Sequence, residues 1–144
     1  MSAAPVLDAF AVVAHGLSEP AAPEVDALLH RGDCRISAVN FAEALDRLGR
    51  VGGRTQEQLR TAFAMLDEAL TVVAMDRALA WRAAELRRRH YRRRGSELSL
   101  ADCAALATAQ NGSPLATADP PLARAARAEG VEVLALPDSR GRRP

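Results

Sequence analysis

The chain has 144 residues, of which 49% are hydrophobic and 26% charged, and its formal net charge is +1. That length supports one domain with a substantial core, and the composition is that of an ordinary globular protein without the overall charge of a polyanion binder. No stretch approaches the roughly 18 uninterrupted apolar residues of a membrane span, and the start of the chain lacks the basic segment of a secretory signal, so a cytoplasmic protein with no membrane contact is expected.

All 19 basic residues are arginine, because the sequence contains no lysine. Any mechanism that needs a lysine is therefore excluded, a P-loop nucleotide site among them. Cys34 and Cys103 are too far apart in sequence for a close-spaced metal pair, and His15, His30 and His90 are scattered. The two cysteines read as buried, reduced thiols.

In chain order, Val6-Leu7 is a short apolar strand with Asp8 at its carboxyl end, and residues 9–16 read as a short helix closed by Gly16. After a proline-containing connection, Val25, Leu28 and Leu29 mark a helix over 25–31. Cys34-Arg35-Ile36 is a second strand, and Ser37 is a natural N-cap for a helix over 38–50, where Phe41, Leu45 and Leu48 share a face. Thr55-Gln56-Glu57-Gln58 resembles a capping box. It opens an amphipathic pattern through Leu59, Phe63, Leu66 and Leu70, a face that could pack in a homodimer or against a partner helix. A third strand is expected over 71–74, a helix over 77–94, a helix from Ser99 to about residue 111, a strand over 115–117, a helix from Asp119-Pro120, and a last strand over 131–134. Residues 1–136 then make one domain, and 137–144 a tail that should fray. Strands alternating with helices predict a three-layer α/β sandwich with a five-stranded, mostly parallel sheet.

Four acids stand out. Each also has a purely local reading: Asp8 and Asp119 as helix N-caps, Asp102 as the third residue of a Ser99 capping box, and Glu43 as the partner of Arg47 one turn on. If the four converged at the strand ends, they would repel one another strongly. Two charges 4 Å apart cost about 4 kcal/mol at an effective dielectric of 20. Such a cluster persists only with protons or cations to neutralise it, and carboxylate oxygens suit Mg²⁺ or Mn²⁺.

The segments Val6-Leu7-Asp8-Ala9, Ile36-Ser37-Ala38-Val39-Asn40-Phe41-Ala42-Glu43, Leu98-Ser99-Leu100-Ala101-Asp102-Cys103 and Leu115-Ala116-Thr117-Ala118-Asp119, in that order, resemble the motifs of PIN-domain ribonucleases of the VapC toxin family. The resemblance covers nearly the whole chain. It implies a Mg²⁺- or Mn²⁺-dependent endoribonuclease, the toxin of a toxin–antitoxin pair, with RNA as substrate and a VapB-type antitoxin and a second copy of the chain as partners. By position, Asp8 and Asp102 would be direct metal ligands, with Glu43 and Asp119 acting partly through water and Thr117 orienting a water or an acid. The chain departs from the family in two places. Phe10 stands where a hydroxyl residue is common, and Pro120-Pro121 where another acid often follows.

Residues 87–94 carry six arginines around His90 and Tyr91 on the expected helix. They read either as a solvated helix end or as an RNA-guiding patch, with Arg87, Arg88, Arg92 and Arg93 as contacts and Tyr91 able to stack on a base. Two other functions compete. A phosphotransfer domain of receiver or dehalogenase type would normally need a lysine, and Asp8-Ala9-Phe10 is not an Asp-x-Asp motif. A non-catalytic PIN fold that only binds RNA or protein remains compatible with Phe10.

Overall fold

The computed structural model describes residues 3–144. Five parallel strands form one sheet in the order β3-β2-β1-β4-β5, made of β1 (Val6–Leu7), β2 (Cys34–Ser37), β3 (Leu70–Val73), β4 (Leu115–Thr117) and β5 (Val133–Ala135). Parallel strands need crossover connections. These are supplied by α1 (Ala9–Gly16) and α2 (Ala22–Leu29), by α3 (Ala38–Arg50) and α4 (Gln56–Ala64), by α5 (Arg77–His90) and α6 (Leu100–Thr108), and by α7 (Pro120–Ala128).

The central strands β1 and β4 are fully buried and almost wholly apolar because both faces of the sheet are covered there. In β1, Leu7 packs into a core with residues of α1 to α4, while Val6 packs into a second core with residues of α5, α6 and α7. The register follows suit: Leu7 pairs with Ile36 and Ala116, and Val6 with Arg35 and Leu115. The result is the expected three-layer α/β sandwich. Cys34 and Cys103 are free and buried, and burial pushes both thiols up to about 11.

Helix starts agree closely with local chemistry. Ser37 accepts from the Asn40 N–H, Thr55 and Gln58 form a reciprocal capping box, and so do Ser99 and Asp102. Boundaries set by tertiary pairing differ. Leu70 extends the helical spacing of α4, yet it opens β3 opposite Cys34. Pro23 lies inside α2, in its first turn, where its missing N–H costs nothing. Helix α5 stops at His90, not at residue 94: Arg92 N–H donates to Ser96 O at 2.9 Å, closing a turn whose Gly95 has φ +83°.

The last residues, 137–144, carry their own contacts. Asp138 accepts from the Arg140 and Arg142 backbone N–H groups and from Arg142 Nε, and Arg143 pairs with Glu24 and donates to Ala135 O.

Among the described residues, no helix is long and apolar enough to cross a membrane.

Candidate active site

The order of the sheet fixes the place of the site. From β1 the chain moves outward through β2 to β3, then returns to lay β4 on the other side of β1. The crevice beyond the carboxyl ends of β1 and β4 is therefore a topological switch point, where open α/β sheets bind ligands. Asp8 directly follows β1, and Asp119 comes two residues after β4.

A cleft of about 350 Å³ opens there, and Asp8, Glu43, Asp102 and Asp119 all line it. The local and the functional readings of the acids are both realised. Asp8 Oδ1 accepts from Ala11 N–H at 2.9 Å, Asp119 Oδ2 from Leu122 N–H at 3.0 Å, and Asp102 Oδ2 from Ser99 N–H at 2.9 Å. Three carboxylates thus sit at the N-termini of α1, α7 and α6, where the helix dipole favours negative charge. Each spends one oxygen on a backbone N–H. Glu43 projects from α3, and among the described residues no ion pair joins it to Arg47, which lines the same cleft.

Asp8 is the electrostatic centre. It is 4% exposed, and burial lifts its carboxyl from 3.8 to about 7, with the charges of Asp102 and Asp119 adding to the rise. Hydrogen bonds from Thr117 and from the Ala11 N–H oppose it. Burial also raises Asp119, reinforced by Asp102 and opposed by the Leu122 N–H and Arg124. Thr117 is fully buried; its Oγ1 accepts from the Asp119 N–H at 3.0 Å and hydrogen bonds the Asp8 carboxylate, so one hydroxyl links the two acids.

Three lining residues escaped the sequence reading: Asn40, Arg47 and Asp138. Asn40 is the most telling. It is 2% exposed; its Oδ1 accepts from Ala9 N–H at 3.2 Å, and its Nδ2 donates to Ser37 Oγ at 2.6 Å and to Ala101 O at 3.0 Å. Ala9 and Ala101 adjoin Asp8 and Asp102, and Glu43 is one turn along α3 from Asn40 itself. One amide therefore ties together the three segments that carry these acids. Asp138 brings a fifth carboxylate to the rim, where Pro120-Pro121 supply none, but Arg142 engages it.

The donor set is carboxylate oxygen, with no histidine or cysteine among the lining residues. The acids line the cleft without closing on a point: among the described residues, no three His, Cys, Asp or Glu side chains form a ready ligand cluster. Oxygen donors with spaces between them suit a small divalent cation that retains several waters, and not zinc.

The arginines expected to meet RNA lie elsewhere. Arg87 and Arg88 line a separate depression with Tyr91. Arg92 folds back onto the Arg89 and Tyr91 carbonyls, and Arg93 stands on the exposed turn after α5. They do not wrap one helix, because the helix has ended by Tyr91.

The PIN domain family matches residues 6–128, and the chain belongs to that family. No curated protein matches the chain by sequence at a significant level. Solved structures resemble it in fold. VapBC2 from Rickettsia felis, bound to a DNA fragment from its promoter, is 16% identical with a TM-score of 0.64, covering 91% of this chain and 97% of that one. A toxin–antitoxin complex from Klebsiella pneumoniae is 20% identical with a TM-score of 0.58, covering 81% and 87%. VapC20 from Mycobacterium tuberculosis, a sarcin–ricin loop cleaving toxin, is 17% identical with a TM-score of 0.59, covering 74% and 82%.

Proposed function

We propose that this protein is a VapC-type endoribonuclease, the toxin of a toxin–antitoxin pair, which hydrolyses RNA phosphodiester bonds with the help of Mg²⁺ or Mn²⁺. The observation that carries the reading is that Asp8, Glu43, Asp102 and Asp119, from four separate segments, all line one cleft, with Asp8 almost fully buried. The partners follow from the same reading: an RNA substrate, a VapB-type antitoxin, and a second copy of the chain, in the cytoplasm.

Asp8 and Asp102 would hold the cation most directly, with Asp119 and Glu43 acting in part through water. A divalent ion bound there supplies Lewis acidity toward a phosphodiester oxygen and makes a bound water more acidic. The chain does the rest. The N–H groups of Ala11, Ser99 and Leu122 each fix one oxygen of an aspartate. Asn40 ties the segments of Asp8, Glu43 and Asp102, and Thr117 ties Asp8 to the segment of Asp119, so the four acids are kept in register. Arg47 gives the cleft a permanent positive charge against which a phosphate can settle. Phe10 adds an apolar side chain to the lining beside the acids.

A second reading is a PIN fold that binds without cleaving. Phe10 in place of a hydroxyl and the spacing of the acids favour it. The separating experiment is cleavage of total RNA by purified protein with Mg²⁺ or Mn²⁺, run beside Asp102→Asn. Cleavage by the wild type alone, stopped by chelator, supports the nuclease. RNA bound but never cut, with either metal, supports the binding module.

A further inference from the structure

A second hollow lies beside the acid cleft. This depression of about 360 Å³ lies between the end of α5 and the start of α6, lined by Ala84, Arg87, Arg88, Tyr91 and Leu100. Tyr91 is 37% exposed and Leu100 59% exposed, so the hollow combines an accessible ring and an aliphatic side chain with two arginines. The Arg87 guanidinium lies 4.5 Å from the Tyr91 ring centroid, so it holds the ring from one side. Among the described residues Arg88 has no hydrogen-bond or ion-pair partner, in contrast to Arg82, Arg89 and His90, which all converge on Glu129. Trp81, 61% exposed, lies on the same helix about two turns before Arg88.

The depression is also wired to the cleft. Arg87 Nε donates to Leu98 O at 3.0 Å, and Ser99 N–H donates to Asp102 Oδ2 at 2.9 Å. That carbonyl and that N–H belong to one peptide unit. The arginine that braces the tyrosine and the acid that lines the cleft therefore grip opposite ends of the same peptide. Leu100 and Asp102 are the first and third residues of α6, about 200° apart around its axis. Only the first turn of α6 separates the two hollows.

We infer that the Arg87–Arg88–Tyr91–Leu100 depression is a nucleobase subsite for single-stranded RNA, one base stacking on Tyr91 while Arg88 meets the adjoining phosphate and the strand continues over the start of α6 into the acid cleft. The inference rests on the nuclease reading and refines it: the substrate must be unpaired beside the cut, because a paired base cannot present its face to a side chain. Charge decides the occupant. An arginine-lined hollow with an exposed ring fits a phosphate-linked base, while an antitoxin segment or a second copy would need to bring matching acids.

The test uses the full-length protein in chelator, so that RNA is bound and not cut. A short single-stranded RNA carrying 5-iodouracil is photo-crosslinked to the wild type and the joined peptide identified, and affinities are measured for wild type, Tyr91→Ala and Tyr91→Phe. The subsite predicts a crosslink on Tyr91, binding about tenfold weaker in Tyr91→Ala, and near-normal binding in Tyr91→Phe. Crosslinks confined to other peptides, or Tyr91→Ala binding within twofold of wild type, overturn it. Loss of a dimer on Tyr91→Ala, seen as a halved solution mass, also overturns it and makes this face a contact between copies. The two readings fail differently. Wild type that cleaves RNA with Mg²⁺ while Tyr91→Ala keeps its KM removes only the subsite, whereas wild type that neither binds nor cuts RNA removes both.

Discussion

The acid cleft and the arginine-rich end of α5 are both clusters of like charge, and they are built in opposite ways. In the cleft the carboxylates are gathered and, among the described residues, no guanidinium forms an ion pair with any of the four principal acids, while Asp8 is almost wholly buried. At α5 the cations are spread over solvent and most are answered. Arg82 and Arg89 share Glu129, which also hydrogen bonds the His90 ring, and Arg87 is spent on a carbonyl and a ring. Uncompensated, buried like charge is costly, and a fold that keeps it holds a site for something of the opposite sign. Compensated charge at a helix end is mostly structure, and only its unanswered members are free to bind.

The largest effects should come from disturbing the uncompensated cluster. Asp8→Asn is expected to lower RNA cleavage by roughly three orders of magnitude, about 4 kcal/mol of barrier at ~1.4 kcal/mol per tenfold. Single-turnover rates with Mn²⁺ measure it. A variant cutting at wild-type rate would move the site away from Asp8.

The same residue makes stability depend on pH in an uncommon direction. Asp8 ionises near 3.8 when unfolded and at about 7 when folded. A carboxylate raised in this way leaves the fold unpenalised below about pH 4. Between about 4 and 7 the unfolded chain ionises first, so the metal-free fold loses stability as pH rises, by an order of 4 kcal/mol at most. Urea midpoints in chelator should therefore fall from about pH 5 to 7.5, and Asp8→Asn should flatten that slope and be the more stable protein at neutral pH. A midpoint that rises with pH in the wild type, with no change in Asp8→Asn, would mean the cleft is neutralised by other means.

Asn40 tests whether the cluster is held as one unit. Asn40→Ala strands the buried Ala9 N–H and removes the tie to Ala101, at about 1–3 kcal/mol of stability. Supporting residues of this kind typically matter about 10–100-fold for metal affinity or activity. Cleavage per folded molecule should drop by that factor while secondary structure is retained. Unchanged activity would show that the three segments hold their acids independently.

How much of this could be read beforehand follows from where the determinants lie. Ser37, Thr55, Ser99 and Asp119 announce their helices because a cap and its N–H partner are three residues apart. Asp8, Asp102 and Asp119 could be named because each follows a strand or opens a helix in its own segment, whereas Glu43, in the middle of α3, stood out only because its segment resembles the family motif. Convergence could not be read, since it depends on β4 returning beside β1. Asn40 was hidden because its partners are 31 and 61 residues away. Asp138 was hidden because its segment is held by Arg143 reaching Glu24, 119 residues distant. Arg47 was visible as a neighbour of Glu43 but was read as its ion-pair partner. The end of α5 went astray for a different reason. Arginine is a good helix former throughout the run, and only the turn closed by Ser96 ends it.

The smallest effect sharpens the comparison from the other side. Glu129→Gln keeps the shape of the side chain and removes the charge that answers Arg82 and Arg89 and accepts from the His90 ring. Those partners are all partly exposed, so water recovers much of what they lose, and about 1 kcal/mol of stability is the expected cost, read as a lower urea midpoint. Cleavage per folded molecule should not change, because none of these residues lines the acid cleft. RNA affinity should rise slightly and the salt dependence steepen by about one counterion, because Arg89 is released toward the same face as Arg88. If Glu129→Gln instead weakened RNA binding, Glu129 would be shaping the binding surface, and the line drawn between answered and unanswered arginines would have to move.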